Sequence, residues 1–453
     1  LCDRRQRQMC IRDRHMRRYR WGVADRLLSV EDSRRGETRY SYTPTGQLER
    51  AEYPDGRVQW RKSDQTGNLY PDPDMRLRRY LGGGRLEQDG EWHCEYDADG
   101  NLTERYLGTG RWLDGKKDRW RYRWNADGSL AKVVRPDKRE VEFTYDALGR
   151  RLSKSFGTTV MRWVWNGNVP LHQWKQHREY SVVEDRWNTD TERRDMTVWL
   201  FDEDSFVPVA MLKEGRSYSI LTDQLGAPTE AYDAEGNEVW NRVLDMDGNV
   251  IGETGNRGMI PFLFQGQYYD RETGLAYNRF RYYDPKTGNY ISQDPIGLAG
   301  GNPTLYGYVF DPNTQIDPLG LDCSYVSKDF KNGASFLITK KDYLRFIAGK
   351  KKVGRVDGQF VIPKKDMDNL LKKSNGDIAQ IEKALGIPEG NWQDKGGLVR
   401  VDIPNPEDYN LRLPTANMSG ANEKFELGGK TSGGIPEGVI DQVPKINVII
   451  TKL

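Results

Sequence analysis

Tyr96-Asp97-Ala98-Asp99-Gly100-Asn101-Leu102 decides the fold, because its form recurs along the chain. Copies stand at Trp124-Asn125-Ala126-Asp127-Gly128-Ser129-Leu130, at Tyr145-Asp146-Ala147-Leu148-Gly149-Arg150-Arg151-Leu152 and at Tyr232-Asp233-Ala234-Glu235-Gly236. Looser ones are Tyr40 to Leu48 (YSYTPTGQL) and Leu244-Asp245-Met246-Asp247-Gly248. Aromatic and polar residues alternate on either side, the period of a strand with one buried face. The Asp-x-x-Gly step supplies an Asx-type turn and a residue tolerant of positive φ. Such units in series read as consecutive β-hairpins in a quasi-one-dimensional array. Aromatic side chains suit its pleated faces, and Arg can stack on them with its head in water.

Outward from this array, the composition changes abruptly. The chain has 453 residues, long for one domain, and a formal net charge of +2, which gives no overall pull towards nucleic acid or membrane. From Asp322 onward there are 17 Lys against 4 Arg, one Trp and no His. Before it stand 39 Arg against 9 Lys, 12 of the 13 Trp and all four His. A domain boundary near residue 321 follows. Cysteine is scarce (Cys2, Cys10, Cys94, Cys323) and shows neither a CxxC spacing nor a disulfide framework. No apolar run has the length of a membrane span, and no apolar segment follows the basic N-terminal residues as a signal peptide would require. Residues 1–16 are set apart as an artefact or a disordered arm. Their first 14, LCDRRQRQMCIRDR, match nothing later and look like translated adapter sequence. The chain is expected to be the C-terminal part of a longer one.

Two further stretches sharpen this reading. Gln265 to Pro285 reads QGQYYDRETGLAYNRFRYYDP, and Gln293 to Leu321 reads QDPIGLAGGNPTLYGYVFDPNTQIDPLGL, with one Asp-Pro-x-Gly-Leu unit near its start and one at its end. With the Tyr-Asp-x-x-Gly units, they resemble the Rhs (rearrangement hot spot) proteins, the YD-repeat polymorphic toxins, over residues 17–321. That resemblance implies a mainly β fold, with a YD-repeat shell segment at 17–260, an Rhs-associated core at 261–321 and a C-terminal toxin domain at 322–453. Family members wind their strands into a hollow shell around the toxin. This chain has too few repeats for a full shell, so part of one is expected.

Asp294 and Asp317 stand 23 residues apart, each followed by Pro. Asp-Pro begins tight turns, and two turns would be the plain reading. A carboxyl pair brought close offers chemistry instead: one keeps a proton while the other acts as base towards water. The resemblance implies an aspartyl autoprotease with Asp294 and Asp317 as its pair, cutting between Leu321 and Asp322. The composition changes at that same place.

The segment 322–453 reads as a small α+β domain. Helices are expected over Lys340–Ala348, Lys365–Lys373 and Gly376–Leu385, and strands over Leu398–Ile403, Gly438–Ile440 and Ile446–Ile450. Without His, it can hold no His-based nuclease site and no Ser-His-Asp triad. With Cys323 as its one cysteine, it holds no CxxC zinc site. No metal ligands are assigned. The order Arg400, Thr431-Ser432, Glu437 resembles an Arg-Ser-Glu ADP-ribosyltransferase. Arg400 would grip an NAD phosphate, Thr431 and Ser432 would orient the ribose, and Glu437 would stabilise the oxocarbenium-like state. The wider pattern from Asp357 through Arg412 and Asn422 to Glu437 resembles a C-terminal domain common in Rhs toxins. The spacing from Ser432 to Glu437 is shorter than usual for such transferases, and no Glu-x-Glu is present. Arg400 could instead pair with Asp402 or Asp408 in an ordinary strand. The alternatives are an NAD glycohydrolase, a metal-dependent nuclease and a non-enzymatic YD-repeat binding protein. The implied partners are an immunity protein, secretion components and a target-cell protein, with a translation factor as a candidate. The implied route is synthesis in a bacterial cytoplasm and delivery into another cell.

Overall fold

The computed structural model describes residues 8–11, 15–23, 26–44, 46–108, 117–203, 205–300, 302–321, 330, 332–409, 411, 431 and 433–453; for 8–11, 299, 300 and 407 it describes the backbone alone. Asp322, Ser432, Arg412 and Asn422 therefore lie outside the described residues. The chain forms two compact units, one of residues 1–298 with 302–322, the other of residues 323–453 with 299–301.

The first unit is a run of antiparallel strands. Six, from Gln8–Ile11 to Val58–Trp60, make one meander. Gln8–Ile11 pairs with His15–Trp21 at the edge of this sheet. Seventeen more, from Arg78–Leu81 to Val250–Gly255, make a second sheet. Its strand order is that of a closed barrel. Among the described residues no backbone ladder joins its first and last strands, each of which pairs with its inner neighbour. The long strand Val169–Ser181 pairs both with Arg186–Thr189 and with Arg194–Phe201, so Arg186–Thr189 stands off the main sheet as a hairpin arm.

The repeat has one local geometry. In Asp97–Asn101 the Asp97 amide donates to the Asn101 carbonyl, the Gly100 amide returns to the Asp97 carbonyl, and the Asn101 amide donates to the Asp97 carboxylate at 2.8 Å. Asp146, Asp223, Asp233 and Asp245 do the same with the residue four ahead. Gly100 and Gly149 take φ of +78° and +75°, which a side chain would resist. The register slips by one residue at the preceding aromatic, as at Tyr96 and Tyr145. The slip turns the ring inward, and its hydroxyl donates to a carbonyl of an earlier strand: Tyr42 to Leu27, Tyr96 to Leu86, Tyr145 to Leu130. A Tyr at this position fills the core and satisfies a buried acceptor at once.

The core segment packs on the apolar face of the large sheet. Phe262, Tyr268, Leu275, Tyr277 and Tyr282 join one cluster with Leu130, Val133, Val141, Trp163, Trp199 and Trp240. Arg151 fastens the two. Its guanidinium is buried, lies 4.4 Å from the Trp163 ring centre and 4.6 Å from that of Tyr277, and pairs with Asp270. Arg57 over Tyr53 and Arg139 over Phe156 stack at the surface as the sequence suggests, whereas Arg151, like Arg242 and Arg281, stacks while buried.

The second unit has a five-stranded antiparallel sheet in the order Gly438–Ile440, Gln359–Pro363, Ala334–Thr339, Leu398–Ile403, Ile449–Lys452. Helices Lys340–Phe346, Lys364–Ser374 and Ile378–Leu385 occupy the expected places. Asp377 caps the last, accepting from the Ala379 and Gln380 amides, and Gly386 ends it in the left-handed conformation. Met367, Leu370 and Ile381 cover Leu337, Ile362 and Leu398 on one sheet face. Phe336, Val361, Val401 and Ile440 cluster on the other. The C-terminal strand begins at Ile449, three residues later than expected, because Lys445–Asn447 forms a 3-10 turn.

Candidate proteolytic site

The site is built on the small sheet of the core segment. Strand Leu275–Asn278 turns through Arg279 and Phe280 into Arg281–Asp284, which pairs with Asn289–Tyr290. Arg279 sits at φ +58°, so the hairpin closes within two residues and sets Asn278 opposite Arg281. Tyr290 follows on the next strand, and four residues later the chain reaches Asp294.

Asp294 and Asp317 meet at Arg281. One guanidinium nitrogen, Arg281 Nη2, lies 3.0 Å from Asp294 Oδ2 and 3.3 Å from Asp317 Oδ2. All three side chains are buried, at 1%, 4% and 0% exposure. The plain turn reading also holds. The Gly297 amide donates to the Asp294 carbonyl and the Ile296 amide to its carboxylate. The Gly320 amide donates to the Asp317 carbonyl and the Leu321 amide to Asp317 Oδ1 at 2.8 Å. The turns aim the two carboxyls at the same place.

The surroundings of the two acids differ. Asp317 accepts from the Tyr290 hydroxyl at 2.8 Å, besides Leu321 N and Arg281. Tyr290 in turn accepts from Asn278 Nδ2 at 2.6 Å, and the Arg281 guanidinium stacks 3.6 Å from the centre of its ring. Asp294 has one backbone donor and Arg281. Burial pushes its carboxyl above the ordinary range, Arg281 and the Ile296 amide oppose that, and the Asp317 charge adds to it. Burial likewise pushes the Tyr290 hydroxyl well up, so it stays a donor. A carboxyl pair with one member biased towards its protonated form is what acid–base hydrolysis of an amide needs. Leu321, buried at 7%, is held by its amide beside this pair.

Sequence reading missed Arg281, Tyr290 and Asn278. All lie in or just after Gln265–Pro285, yet nothing local sets Arg281 apart from the other 38 Arg before residue 322.

The candidate residues of the second unit are not brought together. Arg400 is buried in its strand. Its Nε lies 2.6 Å from Asp402, its Nη1 2.6 Å from Asp368, and its Nη2 3.4 Å from the Ser335 hydroxyl. Its fork is taken up by protein groups, so Arg400 as placed does not fit an NAD phosphate. Thr431 is also engaged, donating to the Ala384 carbonyl at 2.6 Å and accepting from the Ile435 amide. Glu437 precedes the edge strand Gly438–Ile440, and two strands separate that edge from Leu398–Ile403. At about 4.8 Å per strand, roughly 14 Å divide the two positions. Burial alone raises the Glu437 carboxyl to about 7, with no partner among the described residues.

Comparison with known proteins decides the family. The model of the Teneurin YD-shell family matches residues 24–299, more than half of the chain. The chain belongs to the Teneurin YD-shell family. It is 34% identical over 333 residues to the double-stranded DNA deaminase toxin A of Burkholderia cenocepacia, covering 68% of this chain and 22% of that protein. It is 30% identical to the probable deoxyribonuclease RhsB of Dickeya dadantii (67% of this chain, 21% of that one). It is also 30% identical to the toxin protein Tse5 of Pseudomonas aeruginosa (67% and 25%). This YD-shell chain spans about a fifth to a quarter of those relatives' lengths. The crystal structure of TcdB2-TccC3-Cdc42 matches 68% of this chain and 18% of that one at 15% identity, with a TM-score of 0.42. No helix among the described residues is long and apolar enough to cross a membrane.

Proposed function

We propose that this YD-shell chain cuts itself between Leu321 and Asp322 and thereby frees a toxic domain. The observation that carries the reading is the convergence of Asp294 and Asp317 on Arg281, with the Leu321 amide bound to Asp317. In the proposed step Asp317 takes a proton from a water whose oxygen bonds to the Leu321 carbonyl carbon, while protonated Asp294 donates to the carbonyl oxygen. Collapse of that intermediate breaks the bond to Asp322, whose nitrogen leaves with a proton. The products are the Leu321 carboxylate and a new amine at Asp322. Single Asp294→Asn and Asp317→Asn chains test this: both should remain whole where the wild type yields two fragments.

For the freed domain we infer NAD-dependent ADP-ribosyl transfer centred on Glu437. Its support is the sequence order around Glu437 and a half-buried carboxyl raised to about 7. The reading rests on Glu437 without Arg400, whose fork is occupied. The names of the relatives favour a second reading, a nucleic-acid-modifying toxin. A zinc deaminase is the poorer candidate within 322–453, which has no His and a single Cys. Labelled NAD with target-cell lysate separates the two: label on macromolecules that Glu437→Ala abolishes supports transfer, and untouched NAD favours nucleic acid as substrate. Delivery into a rival cell and neutralisation by an immunity protein belong to the same proposal.

A further inference from the structure

The five residues ahead of the proposed cut are held by their main chain. Asn278 Nδ2 donates to the Asp317 carbonyl at 2.9 Å, the Phe280 amide to the Leu319 carbonyl at 3.2 Å, and Arg281 Nε to the Gly320 carbonyl. Pro318 is held by shape. A Cβ on Gly266 would lie 2.0 Å from the Pro318 carbonyl oxygen, so only glycine fits beneath it. Gly320 is constrained the same way, at φ +72° with a built Cβ 2.6 Å from the Asn278 carbonyl oxygen. Four successive residues thus lie in a cleft made by Gly266, Asn278, Phe280 and Arg281. Peptide-binding sites use main-chain hydrogen bonds for grip and tight pockets for selection.

From this geometry we infer that Gly266, Asn278, Phe280 and Arg281 form a built-in substrate cleft that recognises Asp317–Leu321 in cis and keeps it after the cut, so the site turns over once. The inference rests on the proposed autoproteolysis and adds its specificity and its limit. Asp317 is at once the proposed catalytic base and part of the cleaved segment. A site that released its product would lose half of its carboxyl pair, and a site that keeps it stays blocked. Among the described residues, none of these contacts involves a residue beyond Leu321, so hydrolysis there leaves them in place.

Three measurements on the full chain test this. Gly266→Ala is compared with Gly274→Ala. Gly274 has a similar φ of +73° but open space around its built Cβ, so it controls for backbone strain. Gly266→Ala should cut roughly 100-fold more slowly than Gly274→Ala, the loss typical of a substrate misplaced by about an ångström. Equal rates would overturn the inference. Carboxypeptidase should release no Leu321 from the cut, native wild type, and should release it readily after denaturation; release from the native protein overturns retention. Mixed Asp294→Asn and Asp317→Asn chains should remain uncut, and fragments from the mixture would show exchange of the segment between molecules. Should Gly266→Ala fail to fold by circular dichroism, the other two tests stand. A wild type that never cuts defeats the autoproteolysis reading itself, an outcome distinct from all three.

Discussion

Replacing Arg281 with Met would leave two buried carboxyls facing each other without their cation. Arg281, Asp294 and Asp317 are 1%, 4% and 0% exposed, so solvent screens little of the loss. Removing one partner of a buried ion pair costs about 3–5 kcal/mol. The pH dependence carries the sharper test. Without Arg281, which opposes the effect of burial, the folded state holds Asp294 more strongly protonated than the unfolded chain, where carboxyls titrate near 4. Folding then takes up protons, and stability falls as pH rises through that window. The deficit of Arg281→Met should be largest at pH 8 and shrink towards pH 5. Trp fluorescence in urea reports it from the YD-shell unit, since 12 of the 13 Trp precede residue 322. A deficit under about 1 kcal/mol, or one equal at both pH values, would refute the reasoning that Arg281 neutralises this pair.

Three further outcomes follow from the same contacts. Glu437→Gln should remove a pH dependence from the second unit: a carboxyl raised from 4.5 to about 7 by burial lowers stability as pH climbs between those values, by up to about 3 kcal/mol, and thermal melts at pH 5 and 8 would read it. Arg400→Met should destabilise that unit by about 2–4 kcal/mol, because buried Asp402 loses its cation; an unchanged melting temperature would return Arg400 to the candidates for ligand binding. Arg151→Met should loosen the core segment from the sheet at a cost of about 3–5 kcal/mol, read as faster amide exchange in Tyr268–Asp270, since Asp270 keeps only Lys154.

Much of the fold was legible because the YD repeat writes its turn locally. Asp and Gly at fixed spacing set each Asx turn, and alternation set the strands. The small domain's helices were legible from periodicity and from the Asp377 and Gly386 caps. Its central strand Ala334–Thr339 and the neighbouring Gln359–Pro363 went unread, for their residues are apolar runs buried on both faces without alternation. The aspartates were legible as a motif, but the group that joins them was not. Arg281 lies 13 residues before Asp294 and 36 before Asp317, and only the hairpin turn at Arg279 sets it between them. In the second unit the linear order Arg400, Thr431, Glu437 suggested one site. Strand order sets two strands between the Arg400 and Glu437 positions, which the linear order does not show.

The most direct test of the central claim is the intact mass of the purified protein, wild type beside Asp294→Asn. Self-cleavage predicts that the wild type resolves into residues 1–321 and 322–453, with the break between Leu321 and Asp322, while the variant keeps the full 52.3 kDa. A wild type that also stays at 52.3 kDa, or a variant that is cut at the same bond, would contradict it.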